Sequence, residues 1–386
     1  MVADGGFSVM DEWGPEKIVL VSDTRTGMRG VLVIDNTARG MGKGGTRMSP
    51  TLTVGEVCRL ARVMTWKWAG VDLSFGGAKA GIVADPASPK KEEILRSWVR
   101  ALRRHIPSEY VLGLDMGLTE RDAAIVQDEL GDRGAAVGSP WELGGVPYDE
   151  LGLTGYGVAE SAEVACELAG IELKGATVSI QGFGAVGHAA AKRFGELGAV
   201  VVAVSSVDGV LYDADGLDVG KLLALREEHG DGAVREYGGK ILPLGEELLV
   251  HAEVLVPAAR QDQIDEELVS KLTAKVIVEG ANLPTSPGAQ EVLKDRGVTV
   301  VPDFIANAGA VVGAGVAMDA RYSAFRPDPE AIFKLISSKL RDNTRTVITH
   351  ARSAGVTTHQ AALQIAQERV HKAMELKGRL PAGARR

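Results

Sequence analysis

Four residues carry side chains whose surroundings in the sequence allow chemistry: Lys43, Lys67, Lys79 and Asp115. Lys43 stands among glycines in "GMGKGG" (40–45). Glycine lets a backbone turn tightly or approach a ligand closely. A lysine there can hold a phosphate, hold a carboxylate or extend into water. Lys79 follows Gly76 and Gly77 in the otherwise apolar "FGGAKAGI". Desolvation disfavours an ammonium and lowers its pKa toward neutrality, which suits acid/base work. An exposed lysine in a glycine turn is the competing reading. Asp115, in "VLGLDMG", ends an apolar run, where a lone aspartate is most often a turn or cap residue.

A fifth element is the spacing Gly182-x-Gly184-x-x-Gly187. An apolar strand, "ATVSIQ", precedes it, the helical "HAAAKRFGELG" follows, and a second strand, "AVVVAVS", comes next. In that setting Gly182 makes the tight turn, Gly184 lets backbone approach a pyrophosphate, and Gly187 packs helix on strand. Phe183, Ala185 and Val186 complete the turn, whose helix N-terminus favours phosphate. The second strand ends in Ser205 and Ser206, where NAD-preferring sites often carry an acid. Serines serve a ribose hydroxyl or a 2′-phosphate equally, so NAD and NADP both remain open. Ala258, ending the strand 252–258, is placed with the cofactor residues.

These residues need elements to position them. Residues 17–35 read as a hairpin around "DTRTG". Thr53 with Glu56 suggests a capping box opening a helix over about 53–69, with Lys67 at the edge of its apolar stripe. A further helix is expected over 92–106. The Gly- and Pro-rich segment 131–155 marks a boundary near residue 150, and a long helix begins at about 154. The strand–turn–helix–strand order after it, with further strands at 252–258, 274–281 and 298–304, is that of a doubly wound α/β domain. Residues 328–378 read as two amphipathic helices around "SAGVTTHQ".

The formal charge of −8, with basic residues dispersed, argues against a nucleic-acid or anionic-membrane partner. Two distant cysteines, Cys58 and Cys166, make neither a disulfide framework nor a zinc site and suit a cytoplasmic protein. No metal site is expected. The N-terminus shows no signal-peptide pattern, and no run of about 18 apolar residues suggests a membrane span.

Taken together, "KGGTRM", "LARVMTWKWA", "FGGAKAGI", "LDMG", "TGYGV", "GFGAVG", "EGAN", "PDFIANAGAV" and "AQERVHKAMELKG" resemble the glutamate/leucine/phenylalanine/valine dehydrogenases, in family order and over residues 43–377. The resemblance implies a substrate-binding and oligomerisation domain (1–150, joined by a C-terminal helix at about 345–386). It implies a Rossmann-type NAD(P)-binding domain (151–344), with a cleft between the two. It implies reversible oxidative deamination of an L-amino acid to a 2-oxoacid and ammonia in a homo-oligomer. In that scheme Lys67 pairs with the substrate α-carboxylate, Lys79 activates water and Asp115 shuttles protons. Thr154 and Asn307 contact substrate, and Asn282 lies near the nicotinamide.

Lys43 occupies the place where the family's glutamate enzymes bind the side-chain carboxylate, so glutamate is the expected substrate. Two departures favour a leucine or other amino-acid dehydrogenase. Ala314 stands seven positions after Asn307, where glutamate enzymes often carry serine. The short N-terminal segment also looks leucine-type. A catalytically silent, cofactor-binding homologue is the third reading; the presence of Lys67, Lys79 and Asp115 together argues against it.

Overall fold

In the computed structural model, which describes residues 8–148 and 150–380, the chain folds as two units. One takes in the residues up to Pro147 together with Gly313–Asp328 and the chain from Ile365 onward; the other comprises Tyr148–Val312 and Pro329–Gln364. The start of the segment read as lacking a leader, and the end of the tail expected to reach 386, lie outside the described residues. No helix among the described residues is long and apolar enough to cross a membrane.

The first unit is built on a sheet of β1 (Lys17–Asp23), β2 (Met28–Asn36), β3 (Gly42–Met48), β4 (Gly76–Ile82) and β5 (Tyr110–Leu114). Their spatial order is β1-β2-β4-β3-β5. The β1–β2 hairpin forms as the alternation predicts, with Lys17 opposite Ile34 and Asp23 opposite Met28. β2 runs antiparallel to β4, whereas β3 runs parallel to both β4 and β5. Both lysine-bearing glycine segments are therefore inner strands rather than turns.

Side chains on a strand alternate between faces. Met48, Ala78, Ala80 and Ile82 face the main core with Leu95, Trp98 and Tyr110. The opposite face lies against the helix Val54–Gly70. A Cβ on Gly77 would fall 2.0 Å from Thr65 Oγ1, and one on Gly81 would fall 3.0 Å from Val57 Cγ2. The glycines admit the helix, and Lys79, between them, shares its face. Thr53 caps this helix by accepting the Glu56 N–H at 3.2 Å. The Glu56 carboxylate turns to Arg47, at 2.8 Å, in place of the return bond that a capping box would make.

The following helix, Lys91–Ala101, stops short of the expected 106, and successive turns carry the chain to β5.

The second unit holds β6 (Thr177–Gln181), β7 (Val200–Ser206), β8 (Gly209–Tyr212), β9 (Lys240–Leu242), β10 (Val254–Pro257), β11 (Val276–Val278) and β12 (Thr299–Val301). They are ordered β12-β11-β10-β6-β7-β8-β9. Five strands, β12 to β7, are parallel, as a doubly wound fold requires; β8 and β9 extend the sheet with antiparallel pairings. The chain order reverses between β6 and β10. Such switch points form the crevice in which α/β sheets bind ligands.

The tail divides differently from the expected return at about 345. The helix Pro329–Ala354 packs along Leu153–Leu168, where Arg341 and Ser337 converge on the buried Glu160 and Arg345 pairs with Glu167 at 2.7 Å. Only later does the chain rejoin the first unit, where Ala366, Val370 and Met374 of the helix Thr358–Leu376 cluster with Ala38 and Ala69. Burying side chains the size of Val370 and Met374 contributes about 1.5–3 kcal/mol each, enough to fix that end of the chain.

Candidate functional site

Strand alternation puts Lys43, Gly45 and Arg47 of β3 on the face that Lys79 of β4 shares. Lys43 is buried, and its Nζ donates to the Val111 carbonyl at 3.2 Å. The indole Nε1 of Trp68 donates to the Lys43 carbonyl at 2.9 Å, tying the strand to the helix. Burial, reinforced by repulsion from Lys79 and Arg321, pushes the Lys43 pKa down to about 7. Lys43 has a neutral carbonyl as its partner, whereas Lys79 forms an ion pair with Asp115.

Asp115, at the end of β5, is more than a turn residue. Its Oδ1 accepts the Met116 N–H at 2.7 Å, and its Oδ2 faces Lys79 and, at 3.5 Å, Arg47 Nε. Burial alone would raise its pKa, but Lys79, Arg47 and the Met116 N–H outweigh it and hold the carboxyl below its usual range. Gly45 makes the approach possible, since a Cβ there would lie 2.9 Å from Asp115 Cβ. Lys67 is half-buried on the helix Val54–Gly70, one residue before Trp68 and one turn beyond Met64, which abuts Gly44. The first unit thus brings together Lys43, Lys79 and Asp115.

Sequence reasoning missed Arg47, Gly113 and Arg321. Arg47 lies four residues after Lys43, on the same face once β3 forms. Gly113 and Arg321 carry no local signal. Ala314 lies on the helix Gly309–Ala320, beside Gly315, which has Leu73 Cδ1 3.4 Å from where its Cβ would be.

In the second unit the glycine turn has the expected shape. Gly182 has φ +88°, and a Cβ on Gly187 would fall 1.8 Å from the Gly182 carbonyl oxygen. Gly184 has open space where a side chain would be, so a ligand can approach its backbone. Ala185 and Val186 begin the helix Ala185–Glu196, and Phe183 is buried, its N–H donating to the Ser205 carbonyl at 2.6 Å.

A cavity of about 740 Å³ opens at the switch point, lined among others by Gly182, Gly184, Ser206, Ala258 and Gln263. Ser205 also borders it, but its hydroxyl is committed. It accepts the Gly182 N–H at 2.9 Å and donates to the buried Glu247 Oε1 at 3.2 Å. Ser206, at the rim, accepts the Asp208 N–H at 3.2 Å, and Asp208 pairs with Arg235 at 2.9 Å.

Asn307 Nδ2 donates to Asn282 Oδ1 at 2.9 Å and also reaches the Gly280 and Ala281 carbonyls, while its own Oδ1 is buried without a partner. Gly309 lets the Leu153–Leu168 helix come close, with Thr154 Cα 3.2 Å from where its Cβ would be. Thr154, Asn282 and Asn307 are thereby gathered in one region of this unit. The turn and its cavity fit a dinucleotide: a pyrophosphate can meet the open Gly184 backbone at the helix N-terminus. Cys58 and Cys166 are both free and buried.

Comparison with known proteins gives a consistent picture. Residues 15–131 match the family profile "Glu/Leu/Phe/Val dehydrogenase, dimerisation domain", and residues 144–378 match "Glutamate/Leucine/Phenylalanine/Valine dehydrogenase". A glutamate dehydrogenase of Aeropyrum pernix is 37% identical over 366 residues, covering 89% of this chain and 85% of that one. An NADP-specific glutamate dehydrogenase of Saccharolobus shibatae is 35% identical, covering 95% and 90%. Among solved structures, the hetero-hexameric glutamate dehydrogenase of Thermus thermophilus in its Leu-bound form superposes with a TM-score of 0.83 at 30% identity, covering 97% and 93%.

Proposed function

The chain belongs to the glutamate/leucine/phenylalanine/valine dehydrogenase family, and from this premise we propose that it is an NAD(P)-dependent enzyme that oxidatively deaminates L-glutamate to 2-oxoglutarate and ammonia, reversibly. Lys43 carries the glutamate reading. It is a buried amine bonded to a carbonyl, and in its protonated form, a buried cation without a counter-charge, it favours an acidic ligand over an apolar one.

NAD or NADP at the glycine turn supplies the hydride acceptor. The chain's own residues do the rest. Lys67 holds the α-carboxylate and Lys43 the side-chain carboxylate, while Thr154 and Asn307 contact the substrate and Asn282 the nicotinamide. Gly182, Phe183, Gly184, Ala185, Val186, Gly187 and Ala258 shape the cofactor seat, Ser205 braces it, and Ser206 reads the ribose. Hydration of the imine requires a proton to leave water and one to reach the departing nitrogen. Lys79 and Asp115, in direct contact, form the pair that exchanges them.

A branched-chain or other apolar substrate is the second reading, favoured by Ala314. The near-neutral pKa of Lys43 supports it too, because an uncharged amine tolerates an apolar neighbour. We read the protein as cytoplasmic and homo-oligomeric; light scattering of the purified protein tests the latter.

The discriminating experiment is turnover of glutamate, leucine, valine, phenylalanine and aspartate, each with NAD and NADP, on the wild type and on Lys43→Leu. Glutamate should lead in the wild type and lose ground to apolar substrates in the variant. An unchanged preference would show that Lys43 does not face the side chain. Cofactor binding without turnover of any substrate would revive the silent homologue.

A further inference from the structure

The second unit carries another cavity, of about 330 Å³. It lies between the helix Pro287–Asp295 with β12 on one side and the junction of the two tail helices on the other. In a chain of net charge −8, none of the described residues lining this cavity is acidic. Three are basic: Lys294, which also pairs with Glu291 at 2.7 Å outside the lining, Arg352, which donates to the Leu168 carbonyl at 2.9 Å, and His359. Thr299, Thr357 and Thr358 add hydroxyls. A pocket of that make-up attracts a compact anion.

His359 supplies the most specific feature. Its Nε2 pairs with the fully buried Glu279, at 2.7 Å from Oε2. Its Nδ1 is buried and has no partner. Burial opposes the charged ring, but Glu279 and Asp303 outweigh it and raise the pKa. A charged imidazole has two donors, and the second is left for whatever enters. A buried donor without an acceptor is unfavourable, so an acceptor arriving there is favoured.

A bound cation is the competing occupant, since ligand atoms of Glu279, Asp303 and His359 lie within 4.8 Å of one another. The bonding argues against it. Glu279 Oε2 already accepts from His359 and from the Asp303 N–H at 2.9 Å, which leaves Oε1 alone unpartnered, and the imidazole nitrogen facing Oε2 carries the proton that a metal would have to displace.

We propose that this cavity is an oxyanion-binding site, in which Lys294, Arg352 and His359 take a single phosphate or carboxylate group of a small ligand. Its position gives it consequence. Glu279 is the first residue of "EGAN", and Asp303, bonded to Glu279, also accepts the Leu283 N–H at 2.8 Å. An anion on His359 therefore sits one residue behind the segment that carries Asn282. The inference does not depend on the enzyme reading.

The test is isothermal titration of the full chain with inorganic phosphate, malonate and AMP, at saturating reduced cofactor so that the glycine turn is filled. Phosphate and malonate distinguish the two oxyanions, and AMP tells a nucleotide-borne phosphate from a free one. At least one probe should bind once per chain. The rim variant Lys294→Ala/Arg352→Ala, which leaves the Glu279–His359 pair intact, should weaken it about tenfold or more. Crystals soaked in tungstate should show its anomalous signal beside His359 Nδ1. Absence of binding by all three probes, binding unchanged in the rim variant, or Zn²⁺ captured by Glu279, Asp303 and His359 would each overturn the proposal.

Discussion

A Cβ placed on Gly113 would lie 2.7 Å from the Nζ of Lys43. Strand β5 thus leaves the ammonium its space by omitting one side chain. The nearest atom is the far end of a flexible chain, and the Gly44 carbonyl oxygen follows at 3.0 Å, so Gly113→Ala should still fold, with a modestly lower melting temperature, and displace Lys43. The expected result is a folded variant with the glutamate KM raised about tenfold, a loss of about 1.4 kcal/mol of binding. Steady-state kinetics beside a thermal melt would check both halves; a collapsed melt with normal KM would refute the reading.

Lys43 also predicts a pH signature. Its folded pKa, about 7, lies below its ordinary value of 10.5. Between those values the unfolded chain binds the proton and the folded one does not, so stability contributed at this site rises with pH. Below pH 7 the burial penalty is present in full. Across the window the slope is at most about 1.4 kcal/mol per pH unit. Lys43→Met should remove that slope and stabilise the protein most at pH 7 and below, as read from urea unfolding at pH 6.5, 8 and 9.5. In the wild type, affinity for glutamate should fall as pH rises through about 7, because the neutral amine no longer attracts a carboxylate.

Lys79→Ala should lower turnover by roughly 10²–10⁴-fold, the usual worth of a positioned acid/base group. It also strips a buried carboxylate of its ammonium, which typically destabilises by about 3–5 kcal/mol, less here because Arg47 stays at 3.5 Å. Cofactor affinity should hold, since Lys79 belongs to the first unit and the glycine turn to the second. Quenching of protein fluorescence by reduced cofactor measures that directly, and near-normal turnover would remove Lys79 from the mechanism.

The neighbouring serines should separate stability from cofactor choice. Ser205→Ala strands the Gly182 N–H and a Glu247 oxygen, a loss of about 1–3 kcal/mol, visible as a lower melting temperature and a weaker grip on either cofactor. Ser206→Ala should leave the melt unchanged and alter the ratio of kcat/KM for NAD and NADP. A ratio unmoved by Ser206→Ala would place cofactor discrimination elsewhere on the rim.

Local patterns made much of the molecule readable. The hairpin announces itself by alternation, the helix Val54–Gly70 by Thr53 and its apolar stripe, and the nucleotide turn by three glycines between strand and helix. The two lysine strands were not readable as strands, because glycine is depleted from β-structure and the packing of the Val54–Gly70 helix against Gly77 and Gly81 is set only by folding. Lys79 and Asp115 could be picked out singly; that they touch depends on β3 lying between β4 and β5, a pairing across distant sequence. Arg47 joins Lys43 on one face only once β3 is known to be a strand, since the two-residue period has no meaning before that. The commitment of Ser205 to Glu247 was not legible, since nothing local links the two positions. The tail helices were legible, but not the point at which the chain rejoins the first unit, because that depends on which partner offers Ala366, Val370 and Met374 an apolar face.

Arg369 donates to the carbonyls of Ala69 and Gly70 at 2.7 and 3.0 Å, closing the last turn of the helix that carries Lys67. Order of synthesis then matters. A growing chain acquires Lys43, Lys67, Lys79 and Asp115 early, yet the clamp on the Lys67 helix comes some three hundred residues later. A ribosome-bound fragment holding Lys43, Lys67, Lys79 and Asp115 should therefore keep a frayed Lys67 helix until the helix Thr358–Leu376 emerges, so that competence waits for that helix.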